Sequence, residues 1–286
     1  MLKIDLHLHS NYSDGSDSVI ELLQNIKKSN VQIFSLTDHD TFDGCVEVEK
    51  RLPNNINFIR GIELTCQIQN IKCHILGYNY DVSNVELKRL IEKGKILRKQ
   101  KLETRMKYLE NTWNIILTDE ELKWLYSRKS VVKTHLANVL VKRGLAETNV
   151  QAMKKYLDNC KTGNTRFDGK EAIKILKNAG AIAVWAHPLG GEGEQHIEPN
   201  KFYTNLEIMK NFGIQGLECF YSRYNLQECK FLYECALKNN LLVSGGSDYH
   251  GTNKERIQIG QINVNNNLID KSKLTILKFI INKDIK

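Results

Sequence analysis

One pattern limits the fold more than any other feature of this chain. Short strand-like runs alternate with amphipathic, capped helices, and histidines and carboxylates recur where the strands end. Residues 3–8 alternate apolar and polar side chains like a strand. Ser18-Val-Ile-Glu21 is a capping box that opens a helix to about Ser29. Residues 31–37 read as a second strand, 41–51 as a helix ended by Pro53, and 56–63 as a third strand. Residues 65–70 and 72–80 read as a hairpin. After an interruption the rhythm resumes. A helix opens at Asp168-Gly-Lys-Glu171, strands are expected over 181–186, 214–219 and 241–244, and helices over 199–211 and 226–239. Residues 257–264 read as one more strand before a terminal helix. Repeated strand-then-helix units predict an α/β fold with a parallel sheet. About seven such units around a closed sheet would make a barrel of the TIM type, with its chemistry at the C-terminal strand ends.

The interruption covers residues 84–162. Ser83-Asn-Val-Glu86 and Thr118-Asp-Glu-Glu121 are capping boxes, a long Lys/Arg-rich helix runs to about Asn111, and 133–143 and 147–156 look helical. No strand alternation occurs there. The expected organisation is a barrel from residues 1–83 and 163–286, with an all-helical insertion between them. The charge follows the same division. The whole chain carries +8, but residues 86–161 hold 18 Lys and Arg against 9 Asp and Glu, and the rest is nearly neutral. A basic segment favours an anionic partner. It would overhang the rim of the barrel, or it would be a solvated helix face.

Other classes are disfavoured. No apolar run reaches the ~18–20 residues of a membrane helix, and no export signal is read at the N-terminus. Seven cysteines form no CxxC pair, and their odd number and scatter argue against a disulfide framework. A reducing, cytoplasmic setting is the expectation.

The histidines give the functional signal. His7 and His9 end the first strand two residues apart, so both face one side. Asp248 and His250 repeat that spacing after the last strand of the regular series. His39 follows the second strand, Glu63 ends the third, His74 lies in the hairpin, His187 ends the 181–186 strand, and Asp14 sits in the loop after the first strand. In a barrel these positions converge on one rim. Mixed imidazole and carboxylate sets suit Zn, Mn or Fe, and a carboxylate can bridge two ions. Nine candidates are too many for one ion, so two to three divalent ions are expected. His196 has no strand beneath it and is not expected to belong to the set.

These residues resemble the PHP family, named for its polymerase and histidinol-phosphatase members. The resemblance lies in Asp5-Leu-His7-Leu-His9-Ser10 with Ser13-Asp14-Gly15, in Leu36-Thr-Asp38-His39-Asp40-Thr41, in Gly61-Ile-Glu63, in Ala186-His187-Pro188 and in Gly246-Ser-Asp248-Tyr-His250. Cys73-His74-Ile-Leu-Gly77-Tyr, Thr134-His135-Leu-Ala and Lys161-Thr-Gly163 look like the branch that includes RNase AM. The resemblance implies a distorted (β/α)7 barrel and up to three metals. One would take His7, His9, Glu63 and Asp248, a second Asp14, His39 and His250, and a third Glu63, His74 and His187. It also implies hydrolysis of phosphate from nucleotides, with nucleoside 3′,5′-bisphosphates and the 5′ ends of short RNA as substrates. Lys133 stands where the branch usually has Arg, which removes a bidentate fork.

Metal-activated water is the expected nucleophile, since divalent ions lower the pKa of bound water to ~7. Glu63, His187, Asp248 and His135 are the expected catalytic residues. Lys133, His135, Lys161 and Arg223 are the expected substrate contacts. A histidinol-phosphatase-like or other small phosphomonoesterase is the alternative enzyme, and a metal-stabilised nucleic-acid-binding module the alternative outside catalysis.

Overall fold

The computed structural model describes residues 2–191 and 195–281. It opens with β1 (Lys3–Leu8), α1 (Val19–Lys28), β2 (Val31–Leu36) and α2 (Asp43–Arg51). β3 (Asn57–Ile68) and β4 (Ile71–Tyr78) follow as a hairpin. The helical stretch comprises α3 (Val85–Trp113), α4 (Asp119–Tyr126), α5 (Lys133–Lys142) and α6 (Asn149–Ala152), which runs into a π-helical turn, Met153–Leu157. The α/β order then returns with β5 (Phe167–Asp168), α7 (Gly169–Asn178), β6 (Ile182–Trp185), α8 (Pro199–Asn211), β7 (Gly216–Tyr221), α9 (Leu226–Lys238) and β8 (Leu242–Gly246). A short α10 (Leu277–Ile280) closes the described chain.

The strands form one eight-stranded sheet in the order β1-β2-β3-β4-β6-β7-β8, with β5 paired beside β3. It is mixed. β4 runs antiparallel to both β3 and β6, because a two-residue turn reverses the chain after Ile68, and the remaining pairs are parallel. The outer strands β1 and β8 also approach each other. Asp248 N donates to His7 O at 2.8 Å, and His9 N donates to Tyr249 O at 2.9 Å. That approach needs glycine at 246, where a Cβ would collide with the His7 backbone.

The sequence reading needs four local corrections. Residues 56–63 and 65–70 are not separate strands, since β3 continues through both. Glu63 therefore sits inside a strand rather than at its end. The cap of α3 is Asn84, whose side chain accepts from Leu87 N at 2.9 Å, and not Ser83, whose hydroxyl bonds Asp81 instead. Residues 257–264 form turns rather than a strand. Their alternation reflects Ile257, Ile259 and Ile262 each burying its side chain while the backbone folds on itself.

Core packing explains how the basic segment is held. The N-terminal half of α3 buries Leu87, Leu90 and Ile91 in the main core, together with residues of α7 and the sheet. Its C-terminal half buries Leu102 and Leu109 in a separate cluster with Leu125, Leu136, Leu140 and Leu157. One long helix thus belongs to two cores. Each buried Leu or Ile contributes on the order of 2 kcal/mol, so the helix is fixed at both ends.

Candidate metal centre

The nine residues expected at the rim come together. His7 lies near the end of β1 and His9 directly after it, both fully buried. His39 follows β2, Glu63 lies on β3, His74 on β4, His187 follows β6, and Asp248 and His250 follow β8. Asp14 arrives on the loop after β1.

Glu63 is the hub. Its Oε2 lies 3.3 Å from His7 Nε2, 3.2 Å from His9 Nε2 and 3.2 Å from His39 Nδ1. Its Oε1 lies 3.0 Å from His74 Nδ1 and 3.1 Å from His187 Nε2, and those two nitrogens are 3.3 Å apart. Asp14 completes the far side, with Oδ1 3.1 Å from His250 Nε2 and Oδ2 3.8 Å from His39 Nε2. Two ligand atoms held ~2.1 Å from one ion lie roughly 3.0–3.5 Å apart, so every spacing here except the 3.8 Å one fits ligands around a cation.

The donor chemistry passes the same test. His7 Nε2, His9 Nε2, His39 Nδ1, Asp14 Oδ1 and Glu63 Oε2 are buried without a hydrogen-bond partner. Orphaned buried polar atoms cost about 1–3 kcal/mol each. Five of them facing one space call for a ligand they share. Three overlapping groups could hold an ion: His9, Asp14, His39 and His250; His7, His9, Glu63 and Asp248; and His39, Glu63 and His74. Compared with the expected sets, His9 joins the second group and His39 the third, while His187 reaches the site through Glu63 and His74.

The surrounding residues fix each ligand's orientation. Glu218 on β7 accepts from His7 Nδ1 at 2.8 Å, which turns the lone pair on Nε2 toward Glu63, and its other oxygen accepts from His187 N at 2.8 Å. Asp248 Oδ2 accepts from Tyr221 Oη at 2.8 Å and Lys254 Nζ at 2.6 Å, leaving Oδ1 to face His7 and His9. Asp38 holds the β1 loop through Ser10 N, Ser10 Oγ and Ser13 Oγ. Asp5 holds the β8 loop in the same manner through Ser247 and Gly260 N. Burial pushes both carboxyls up to about 6, against these hydrogen bonds. Asp40, His187 and Asp248 all have positive φ, a strained conformation for side chains other than glycine that clusters at functional sites.

Electrostatics separate the histidines. Burial would depress His7, but the charges of Glu218, Glu63 and Asp248 outweigh it and hold the imidazole well above its usual range. Burial dominates at His39, which stays well below it. Burial alone would raise Glu63 and Asp14, yet the surrounding imidazoles hold both well below the usual carboxylate range.

The expected substrate contacts fare differently. His135 is buried in the first turn of α5, and burial pushes it down to about 4. Its Nδ1 accepts from Val132 N at 3.2 Å, so the neutral ring carries its proton on Nε2, and Asp14 is among the groups whose charge it senses. Lys133 is bound to Asp158 Oδ1 at 2.7 Å, and Lys161 is exposed. Arg223 donates to Gly191 O in the loop after β6. His196 pairs with Glu228 at 3.0 Å, away from the cluster. The sequence reading missed Glu218, Tyr221 and Lys254. Glu218 had left a trace, a lone acid inside the apolar run of β7. Lys254 had left none, because one lysine in a polar turn looks like any other.

The PHP domain profile matches residues 5–170, more than half of the chain. The chain belongs to the PHP-domain family. Among relatives, it is 30% identical to a 5′-3′ exoribonuclease of Haemophilus influenzae over 87% of this chain and 90% of that protein. It is 25% identical to a 3′,5′-nucleoside bisphosphate phosphatase of Chromobacterium violaceum over 91% of each chain. A solved structure from Bifidobacterium adolescentis superposes with TM-score 0.80 at 23% identity, covering 99% of this chain and 98% of that one, which extends the likeness in fold to nearly the full length. This PHP protein is accordingly an enzyme of the phosphoesterase class. Among the described residues, no helix is long and apolar enough to cross a membrane.

Proposed function

We propose that this PHP enzyme removes phosphate from nucleotides, with nucleoside 3′,5′-bisphosphates or the 5′ ends of short RNA as its substrates, using two or three divalent ions of Mn, Fe or Zn. The observation that carries the reading is Glu63, whose two oxygens serve two sides of one buried cluster of otherwise unpartnered ligand atoms. A structural metal site is normally closed around one ion by four ligands. Nine candidate ligands in overlapping groups fit a multi-ion catalytic centre instead.

His7, His9, Asp14, His39, Glu63, His74, His187, Asp248 and His250 would hold the ions. Bound there, the ions would supply Lewis-acid chemistry, activating water near neutral pH and neutralising charge on the phosphoryl group. The chain's own residues prepare the site. Glu218, Tyr221 and Lys254 keep His7 and Asp248 in fixed orientations. His135 is neutral, with Nδ1 accepting from Val132 N and its ring also bonded to the Ser13 backbone, so it braces the loop that carries Asp14 and has no charge with which to neutralise a phosphate. Lys133 is already paired with Asp158, which weakens its expected role in phosphate binding. The seven cysteines, six of them buried and scattered over the chain without a CxxC pair, fit a reducing compartment such as the cytoplasm.

The test is phosphate release by Mn-, Fe- and Zn-loaded protein from 3′,5′-bisphosphoadenosine, 5′-phosphorylated RNA and histidinol phosphate, with metal content measured on the same samples. Turnover of the first two is the expected result. Turnover of histidinol phosphate alone would favour the small-molecule alternative. Salt-sensitive RNA binding without turnover would favour a binding module.

A further inference from the structure

We infer that the helical insertion completes one part of the metal centre. Ser130, His135 and Asn149 position the Asp14, His39 and His250 ligand set, so the ion held there depends on the insertion, while the ions around Glu63 are held from the sheet. This rests on the multi-ion reading above and says which ion the insertion serves.

The ligand groups differ in what supports them. His7 lies on β1, Glu63 on β3 and His74 on β4, each within a hydrogen-bonded strand. Glu218 and Tyr221, both on β7, orient His7 and Asp248. Asp14, His39 and His250 lie outside the named strands, in the connections after β1, β2 and β8. With His9 they make up one of the three ligand groups, and Asp14 and His250 occur in that group alone. Side chains on loops are held less precisely than those on strands unless bonds from elsewhere fix them. His39 has one such bond system in its single-residue bridge to Glu63.

The insertion supplies further bonds. Ser130, buried in the connection between α4 and α5, donates from Oγ to His39 O at 2.8 Å. The His135 ring, in the first turn of α5, bonds the Ser13 backbone, one residue before Asp14. Asn149 opens α6 and donates from Nδ2 to Asn253 Oδ1 at 3.4 Å. Asn253 Nδ2 passes the connection on, donating to Asp14 O at 2.8 Å. Ser16 N donates to His250 O at 3.0 Å, which fastens the β1 and β8 connections together. Arg98 Nε adds a tie to Asp40 Oδ2 at 2.7 Å, directly after His39.

These ties come from one packing unit. Leu125, Leu136, Leu140 and Ala152 surround Ser130, His135 and Asn149 in sequence and share a hydrophobic cluster separate from the main core. A shift of that unit moves the ties as a group. Asp14 has most to lose, because its buried Oδ1 makes no hydrogen bond and faces His250 Nε2 at 3.1 Å. Ion binding at this set and placement of the insertion are therefore linked, and each favours the other to the same extent. A substrate that seats against the insertion would tighten this ion and leave the others as they are.

The experiment counts Mn per chain, and Zn in parallel, across graded free metal in wild type, Ser130→Ala, His135→Phe and the double variant. Tyr221→Phe, which loses the bond from β7 to Asp248, is the comparison. One binding step is expected to weaken about 10–100-fold in the double variant, with the remaining steps as in wild type. Adding Tyr221→Phe should weaken a second step independently. Hydrogen exchange gives the converse reading in wild type. Amides over 128–153 are expected to slow on adding Mn by more than those of α9. Folded variants that bind every ion as wild type does, or that weaken all steps equally, would overturn the inference. If the double variant does not fold, exchange decides, and equal slowing in both regions overturns it. A wild type that binds neither Mn nor Zn overturns the multi-ion reading itself.

Discussion

At the scale of single residues, Glu63 and Lys101 make opposite predictions. Glu63→Gln keeps the shape of the side chain but removes the charge that five imidazoles face. Turnover is expected to fall by about 10³-fold or more, with metal content per chain dropping in parallel. Wild-type metal content and rate would exclude Glu63 as the hub. Lys101→Met should stabilise the protein. With its ammonium pushed down to about 7 from an ordinary 10.5, Lys101 is charged in both folded and unfolded states at pH below 7, and folding bears the full cost of crowding it. That cost fades as pH rises from 7 toward 10.5, where both states become neutral. The substitution should therefore add on the order of 2 kcal/mol at pH 7, after allowance for solvent screening, and nearly nothing at pH 10.5. Chemical denaturation in chloride buffers at both pH values checks it. Residue type decides what was legible here. Histidines are scarce enough for placement to carry information, whereas the arginines and lysines facing inward from α3 match, letter for letter, those facing water.

At the scale of elements, α3 matters most, because it ties the core of the sheet to the helical cluster. Gly94 marks the tightest point, where an added Cβ would lie 2.6 Å from Phe167 Cζ and 3.5 Å from Asp40 Cβ. Alanine is the better helix former by about 1 kcal/mol, but overpacking costs about 1–3 kcal/mol. Gly94→Ala is thus expected to destabilise the protein by about 1 kcal/mol. A urea titration checks this, and a stabilised variant would contradict it. Helix starts were legible wherever a side chain caps its own helix, as at Ser18, Thr118 and Asp168. The cap of α3 was misplaced because Ser83 and Asn84 are both good caps, and only the pull of Asp81 on the Ser83 hydroxyl separates them. The merging of two expected strands into β3 depends on pairing with β2, β4 and β5, which is tertiary information.

At the scale of the whole molecule, the sheet gathers acids from residue 14 to residue 248 into one volume, and the insertion sets cations beside it. Without ions, the carboxylates of Asp14, Glu63 and Asp248 are balanced by imidazoles and by Lys254, and several ligand atoms make no hydrogen bond. Ions that bind the folded chain alone must therefore stabilise it. At free metal 100-fold above the dissociation constant the gain is about 2.7 kcal/mol per site. For a chain of this size that is a rise in Tm of roughly 5–10 °C. Chelator-stripped protein should melt lower by that amount and recover on adding Mn. Glu63→Gln should show little of this response, because the remaining ligands lose the carboxylate common to two of the groups. A wild-type protein whose Tm is indifferent to chelation and to added metal would mean that these residues pack as a buried polar network, and that the orphaned atoms are satisfied by water instead.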